Sequence, residues 1–212
     1  RMTLDFHPMR GLVNSGPYNN AYDLFVERKG VRVAGIVPKQ CRTEFVQFVT
    51  NSHSSHNTRY NVDYVIKYPG FYEAFKTGIE IPTVDSEKWV DVEVHEKGTM
   101  METAISYAEA INQRISNLYA YGDVDVVLIY IPERYEKYTR ISSPNENFDL
   151  HDYVKAFAVQ KHIATQFIRE RTMKDTQMRC QIMWALALAI YVKAGRTPWT
   201  LSNLRNDTAF VG

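Results

Sequence analysis

The chain has 212 residues, of which 45% are apolar and 23% charged, with a formal net charge of +1. That length can bury a full core and suits one domain with appendages. The near-neutral balance excludes a protein that grips nucleic acid along its whole surface, so any polyanion must be held in a local pocket.

Residues 1 to 25 carry Gly11, Gly16, two prolines and several asparagines, and the pattern predicts an extended arm without helical period. "VRVAGIVP" from Val31 predicts a buried strand ended by Pro38, and "KQCRTEFVQFV" places Phe45, Val46 and Val49 at helical spacing. A long loop is expected over 51–70, then a short helix in "FYEAFKTGI" and a half-buried strand across Trp89–Val94. "METAISYAEAINQRISNLYAY" predicts an amphipathic helix with Ala104, Tyr107, Ala108, Ile111, Ile115 and Leu118 on one face. "VDVVLIYIP" is a nearly continuous β-branched run, as in the centre of a parallel sheet.

A polar segment, "ERYEKYTRISSPNENF", leads to a helix beginning near His151 and a strand in "IATQFI". A long helix is then expected from about Asp175 to Lys193, apolar on every face over "IMWALALAIYV" and stopped by Gly195 and Pro198. That eleven-residue run is too short to span a bilayer. "TAFVG" begins one more strand. Strands alternating with helices predict an α/β fold, a Rossmann-like, mostly parallel sheet flanked by helices on both faces. Ligands in such sheets sit at the carboxyl ends of the strands, which points to Pro132–Phe148, to Arg169 and to the nearby helix ends.

Cys41 and Cys180 form no disulfide framework and have no metal-ligand spacing. No signal-peptide pattern is visible, and a reducing cytoplasm is the expected compartment. The histidines at His53, His56, His95, His151 and His162 show no HExxH or clustered spacing. The chain has no phosphate loop, GxGxxG or G-x-S-x-G elbow, and no hydrolytic carboxylate pair can be nominated. No catalytic residue and no side-chain metal ligand follows from the pattern.

One constellation stands out. "NFDLHDYVK" offers Asp149 as N-cap, with His151 and Lys155 one turn apart on the same helix face. A cation, an imidazole and a helix N-terminus together favour an anion such as phosphate; a solvated amphipathic face explains the same spacing. Gln166 interrupts an apolar strand and can donate to a phosphate oxygen, or can face water on an edge. Lys193 emerges from an apolar helix and either meets a counter-charge or complements the helix dipole.

In order, His151-x-x-x-Lys155, "ATQ" ending at Gln166, "VKAG" with Lys193, then "TPW" and "TAFVG" resemble the MID domain of Argonaute proteins running into PIWI. Eleven residues separate Lys155 from Gln166 and twenty-seven separate Gln166 from Lys193. In that family the corresponding residues hold the 5′ phosphate of a guide strand. The resemblance implies the same for His151, Lys155, Gln166 and Lys193, with Arg169 as a further backbone contact. "HPMRGLVNSGPYN" is similar to the N-terminal stretch of short prokaryotic Argonautes. It implies an N-terminal arm over 1–25, a MID domain over 26–199 and the start of PIWI over 200–212.

The same resemblance implies a guide RNA or DNA with a 5′ phosphate, target DNA, and a role in prokaryotic immunity against invading DNA. It further implies an APAZ-containing partner carrying a TIR or sirtuin-like NAD-consuming effector, with no membrane involvement. It implies that no slicer site lies in this segment. Ala189 stands where the family often has a second lysine, and "KAGR" replaces "KxGG". Both departures leave room for Mg2+ bridging the guide phosphates. The loop "ISSPNENF" matches the place where the family reads the first base, so that His151 is expected to face phosphate, base or both. A doubly wound phosphoester-binding enzyme and a scaffold domain are the alternative readings.

Overall fold

The computed structural model describes residues 5–18, 30–59, 64–120, 122–144 and 146–200. Its centre is a parallel sheet of β1 (Val31–Ile36), β2 (Ile79–Glu80), β3 (Trp89–Val90), β4 (Val126–Ile131) and β7 (Ala164–Arg169). The spatial order is β2-β1-β4-β7. β3 also pairs β1, lying parallel to its last two residues, Gly35 and Ile36. β4 is central and its six residues are all buried, as its continuous apolar run requires. β7 pairs β4 over its whole length, from Val126↔Ala164 to Ile131↔Arg169, and is the last strand on its side among the described residues.

The alternation of side chains divides the core in two. Val33, Val126, Leu128, Tyr130 and Ile168 face one layer with Phe45, Phe71, Phe75, Met183, Trp184 and Ile190. Ala34, Ile36, Val127, Ile129 and Ile131 face the other layer with Tyr107, Ile111, Ile115, Leu150 and Val154. The helices of the first layer are α1 (Pro8–Ser15), α2 (Arg42–Thr50), α3 (Phe71–Phe75) and α7 (Arg179–Lys193). Those of the second are α4 (Met100–Ala120) and α5 (Leu150–Gln160). All six residues predicted for the apolar face of α4 are buried. Gly35 is required where it stands: a Cβ there would lie 2.5 Å from the Trp89 ring and 3.0 Å from the Leu128 carbonyl.

Several expectations need correction. The N-terminal arm contains a helix, α1, because Pro8 sits in its first turn, where no N–H is needed, and the His7 ring accepts from the Arg10 amide. Leu12 anchors that helix in the first core layer. The strand expected through Val94 stops at Val90. The Val37 amide still donates to the Val90 carbonyl, but the next amide on that edge, Lys39, donates to the Asp91 carboxylate at 2.7 Å instead of to β3, and the ladder ends. The polar segment after β4 is ordered as a 3-10 helix (Glu133–Tyr138) and a two-stranded hairpin of β5 (Arg140–Ser142) and β6 (Asn147–Asp149).

The long helix begins at Arg179, not Asp175, and a short helix, α6 (Glu170–Lys174), precedes it. The Asp175 carboxylate accepts from the Gln177 and Met178 amides, a turn that competes with helix. α7 is also not buried all round: Ala185 is exposed, and so is Val192 seven residues on. Gly195, at φ 74°, follows it and ends it as expected. The "TAFVG" strand falls at 208–212, outside the described residues. Among the described residues no helix is long and apolar enough to cross a membrane.

Candidate anion pocket on the flank of the sheet

The Thr165 and Phe167 carbonyls, two residues apart on β7, share the edge turned away from β4 and accept from side chains there. α5 packs on one face of the sheet and α7 on the other, so a long side chain from each can reach around this edge. Lys155 of α5 and Lys193 of α7 do so and meet on one atom. The Lys155 Nζ donates to the Thr165 carbonyl at 2.5 Å and the Lys193 Nζ donates to the same oxygen at 2.7 Å. Lys193 also donates to the Gln166 Oε1 at 2.5 Å, and the Gln166 Nε2 donates to the Phe167 carbonyl at 2.8 Å.

Three of the four predicted phosphate contacts, Lys155, Gln166 and Lys193, therefore converge. What joins them is a backbone atom of Thr165, for which no residue type carries a signal. Neither lysine has a carboxylate within ion-pair distance among the described residues. Burial is the main force lowering the Lys155 pKa, and a hydrogen bond to Lys193 partly opposes it. Burial first, then the charge of Lys155, pushes the Lys193 ammonium down to about 8. Two half-buried cations without a counter-charge form a site that an anion would stabilise.

His151 is exposed and stands apart from that hydrogen-bonded group. Its ring lies 5.3 Å from the Phe167 ring, and its Nδ1 is 3.2 Å from the Asp152 carboxylate. It thus overhangs the residue after Gln166, one turn of α5 above Lys155. Asp149 caps the helix as expected, accepting from the His151 amide at 2.9 Å and the Asp152 amide at 3.3 Å. Those amides are consequently taken, so the anion affinity of this region rests on the lysines and not on the helix N-terminus. Arg140 pairs with Asp149 at 2.8 Å and, with burial opposing it, the Asp149 carboxyl is held below its usual range.

The location also corrects the sequence reading. Thr165 and Gln166 lie in the first half of β7, and the lysines meet on the flank of the sheet instead of beyond its carboxyl ends. Arg169 does occupy a carboxyl end, where its guanidinium is 3.9 Å from Glu136. A divalent cation does not fit this cluster, where two ammoniums already occupy the Thr165 carbonyl and the Gln166 Oε1 and would repel it. Asp149, His151 and Asp152 do gather ligand atoms within 4.8 Å of one another, a group that the spacing did not nominate. Two of its three members are exposed, and Asp149 is already engaged as cap and ion-pair partner.

No protein-family model matches the chain. In sequence it is similar to the protein argonaute of Aquifex aeolicus (strain VF5), 29% identical over 117 residues. That match covers 55% of this chain and 16% of the relative. In structure it is similar to a crystal structure of Aa-Ago with externally-bound siRNA, with a TM-score of 0.52 and 17% identity over 92% of this chain. A structure of Aquifex aeolicus Argonaute matches with a TM-score of 0.44 and 18% identity over 82% of it. The chain spans about a fifth of those solved proteins, 22% and 20% respectively. It is thus similar to Argonaute in sequence over 55% of its length and in fold, and spans only part of that protein.

Proposed function

We propose that this chain is the guide-binding segment of an Argonaute, a MID domain leading into PIWI, and that its flank pocket holds the 5′ phosphate of a guide strand. The observation that carries this reading is the meeting of Lys155 and Lys193 on one carbonyl, with no carboxylate among the described residues to answer them. A terminal phosphate supplies the missing charge and enough acceptor oxygens for both ammoniums and the second N–H of the Gln166 amide. His151, above Phe167, is placed to face the first nucleotide, where an imidazole can stack on a base.

In the fuller form of the proposal the protein is a short prokaryotic Argonaute that uses a guide RNA or DNA to recognise invading DNA. It acts with an APAZ-containing partner whose TIR or sirtuin-like part consumes NAD, and cleavage of nucleic acid is not assigned to this segment. Any Mg2+ would bridge phosphates of the strand, since the pocket's own donors do not coordinate one. The relation to Argonaute in sequence and fold supports the reading. A phosphoester hydrolase would place a carboxylate against the lysines, and none lies there among the described residues.

Purification of the chain with its bound nucleic acid, followed by sequencing and 5′-end analysis, tests the proposal. Short strands with 5′-phosphorylated ends are expected. Nucleic acid bound without regard to its 5′ end would refute it.

A further inference from the structure

Lys193 differs from Lys137 and Lys174 in what surrounds its nitrogen. Lys137 pairs with Glu96 at 3.0 Å and Lys174 pairs with Glu170; Tyr138 and then Glu96 hold the Lys137 ammonium above its ordinary pKa, and Glu170 does so for Lys174. The Lys193 nitrogen faces Lys155 from α5, while β7 offers it the Thr165 carbonyl and the Gln166 amide, neither of which titrates. The next charged residue after α7, Arg196, turns instead to the Thr77 hydroxyl and the Tyr191 ring.

The hydrogen bonds satisfy the amine as well as the ammonium. Lys193 donates to two acceptors, the Thr165 carbonyl and the Gln166 Oε1, which uses both N–H groups of a neutral amine. Lys155, donating to the same Thr165 carbonyl, holds a second positive charge beside it. A half-buried lysine beside a second cation is the arrangement that makes an amine nucleophilic near neutral pH.

We propose that Lys193 is an acylation site whose fitting donors are small acyl phosphates. The Lys155 ammonium holds the phosphate end of such a donor, as it is proposed to hold a guide phosphate, and so sets the acyl carbon against the Lys193 Nζ. The Lys193 Nζ then attacks the acyl carbon and forms a C–N bond. The bond from that carbon to the bridging oxygen breaks, and phosphate leaves with the electron pair. The proton lost from nitrogen passes to the departing phosphate, and Lys193 is left as a neutral amide. No oxidant or metal is needed. The reactivity follows from the pocket alone; its consequence, loss of one of two phosphate-binding cations, rests on the proposed guide-binding function.

The test incubates the full chain with acetyl phosphate at about pH 7.5 and follows each lysine by peptide mass spectrometry. Lys193 is expected to acetylate about tenfold faster than Lys137 or Lys174, because far more of it is neutral at that pH. Its rate should level off above about 8 while theirs keep rising. Lys155→Gln, checked for folding by circular dichroism, should slow Lys193 specifically. Equal rates at the three lysines would overturn the proposal, and equal selectivity with an uncharged acetylating ester would overturn the donor class. A 5′-phosphorylated oligonucleotide should protect Lys193. Fast acetylation without that protection would sustain the acylation site and count against guide binding there.

Discussion

Two clusters of basic side chains flank the same sheet and have opposite characters. At the amino end of β1, Arg32 meets Asp125 at 2.8 Å, contacts Asp123, and its own amide donates to Asp125 at 2.8 Å. Asp125 raises the Arg32 pKa. At the outer edge of β7, Lys155 and Lys193 find, among the described residues, a carbonyl, an amide and each other. In the first cluster the fold answers its own charge, and the arginine is a brace between β1 and the start of β4. In the second the charge is left to be answered from outside. The number of cations does not mark the candidate site; the absence of carboxylates among the described residues does.

The comparison can be broken by mutation, and the largest expected effect is on binding. Lys155→Ala and Lys193→Ala should each weaken binding of a 5′-phosphorylated oligonucleotide by about 1.5–3 kcal/mol, the worth of a charge-assisted contact in a sheltered site. Fluorescence anisotropy would read it, and loss of affinity for 5′-hydroxyl strands to the same extent would contradict the assignment. Arg32→Ala should do the reverse. It leaves the part-buried Asp125 carboxylate without its main partner, costing about 1–3 kcal/mol in urea unfolding while oligonucleotide affinity per folded molecule stays unchanged.

Gln166→Glu would sharpen the contrast by turning the pocket into a brace. A carboxylate in place of the Oε1 that Lys193 now meets should raise the lysine's pKa and lower oligonucleotide affinity by about tenfold. The smallest effect is on stability. The folded-state pKa of Lys193 is depressed, so below about 8 folding must keep this amine charged against burial and against Lys155. Between there and its unfolded value the unfolded chain binds more protons, and stability from this group rises with pH. Lys193→Met should therefore raise the melting temperature most below pH 8, with the gain shrinking as the pH climbs toward the unfolded value. A gain independent of pH would show that packing and not charge is responsible.

Much of this was legible in the residues. The unbroken apolar run of Val126–Ile131 could only be a central strand, and the period of α4 named its buried face residue by residue. Helix α1 was hidden because its proline and glycines read as breakers, although Pro8 occupies the one turn that tolerates it. The β5–β6 hairpin was hidden because its strands are three residues each and mostly polar. For the site, spacing and resemblance supplied Lys155, Gln166 and Lys193 but not why they meet. That depends on β7 lying at the edge, with helices on opposite faces, and on the backbone oxygen of Thr165.

The most direct test of the central claim is the ratio of Kd values for one oligonucleotide with a 5′ hydroxyl and with a 5′ phosphate, measured on the wild-type chain and on the Lys155→Ala, Lys193→Ala double variant. The account predicts a ratio of at least about tenfold for the wild type and near unity for the variant. A wild-type ratio near unity, or a large ratio that survives the double substitution, would contradict it.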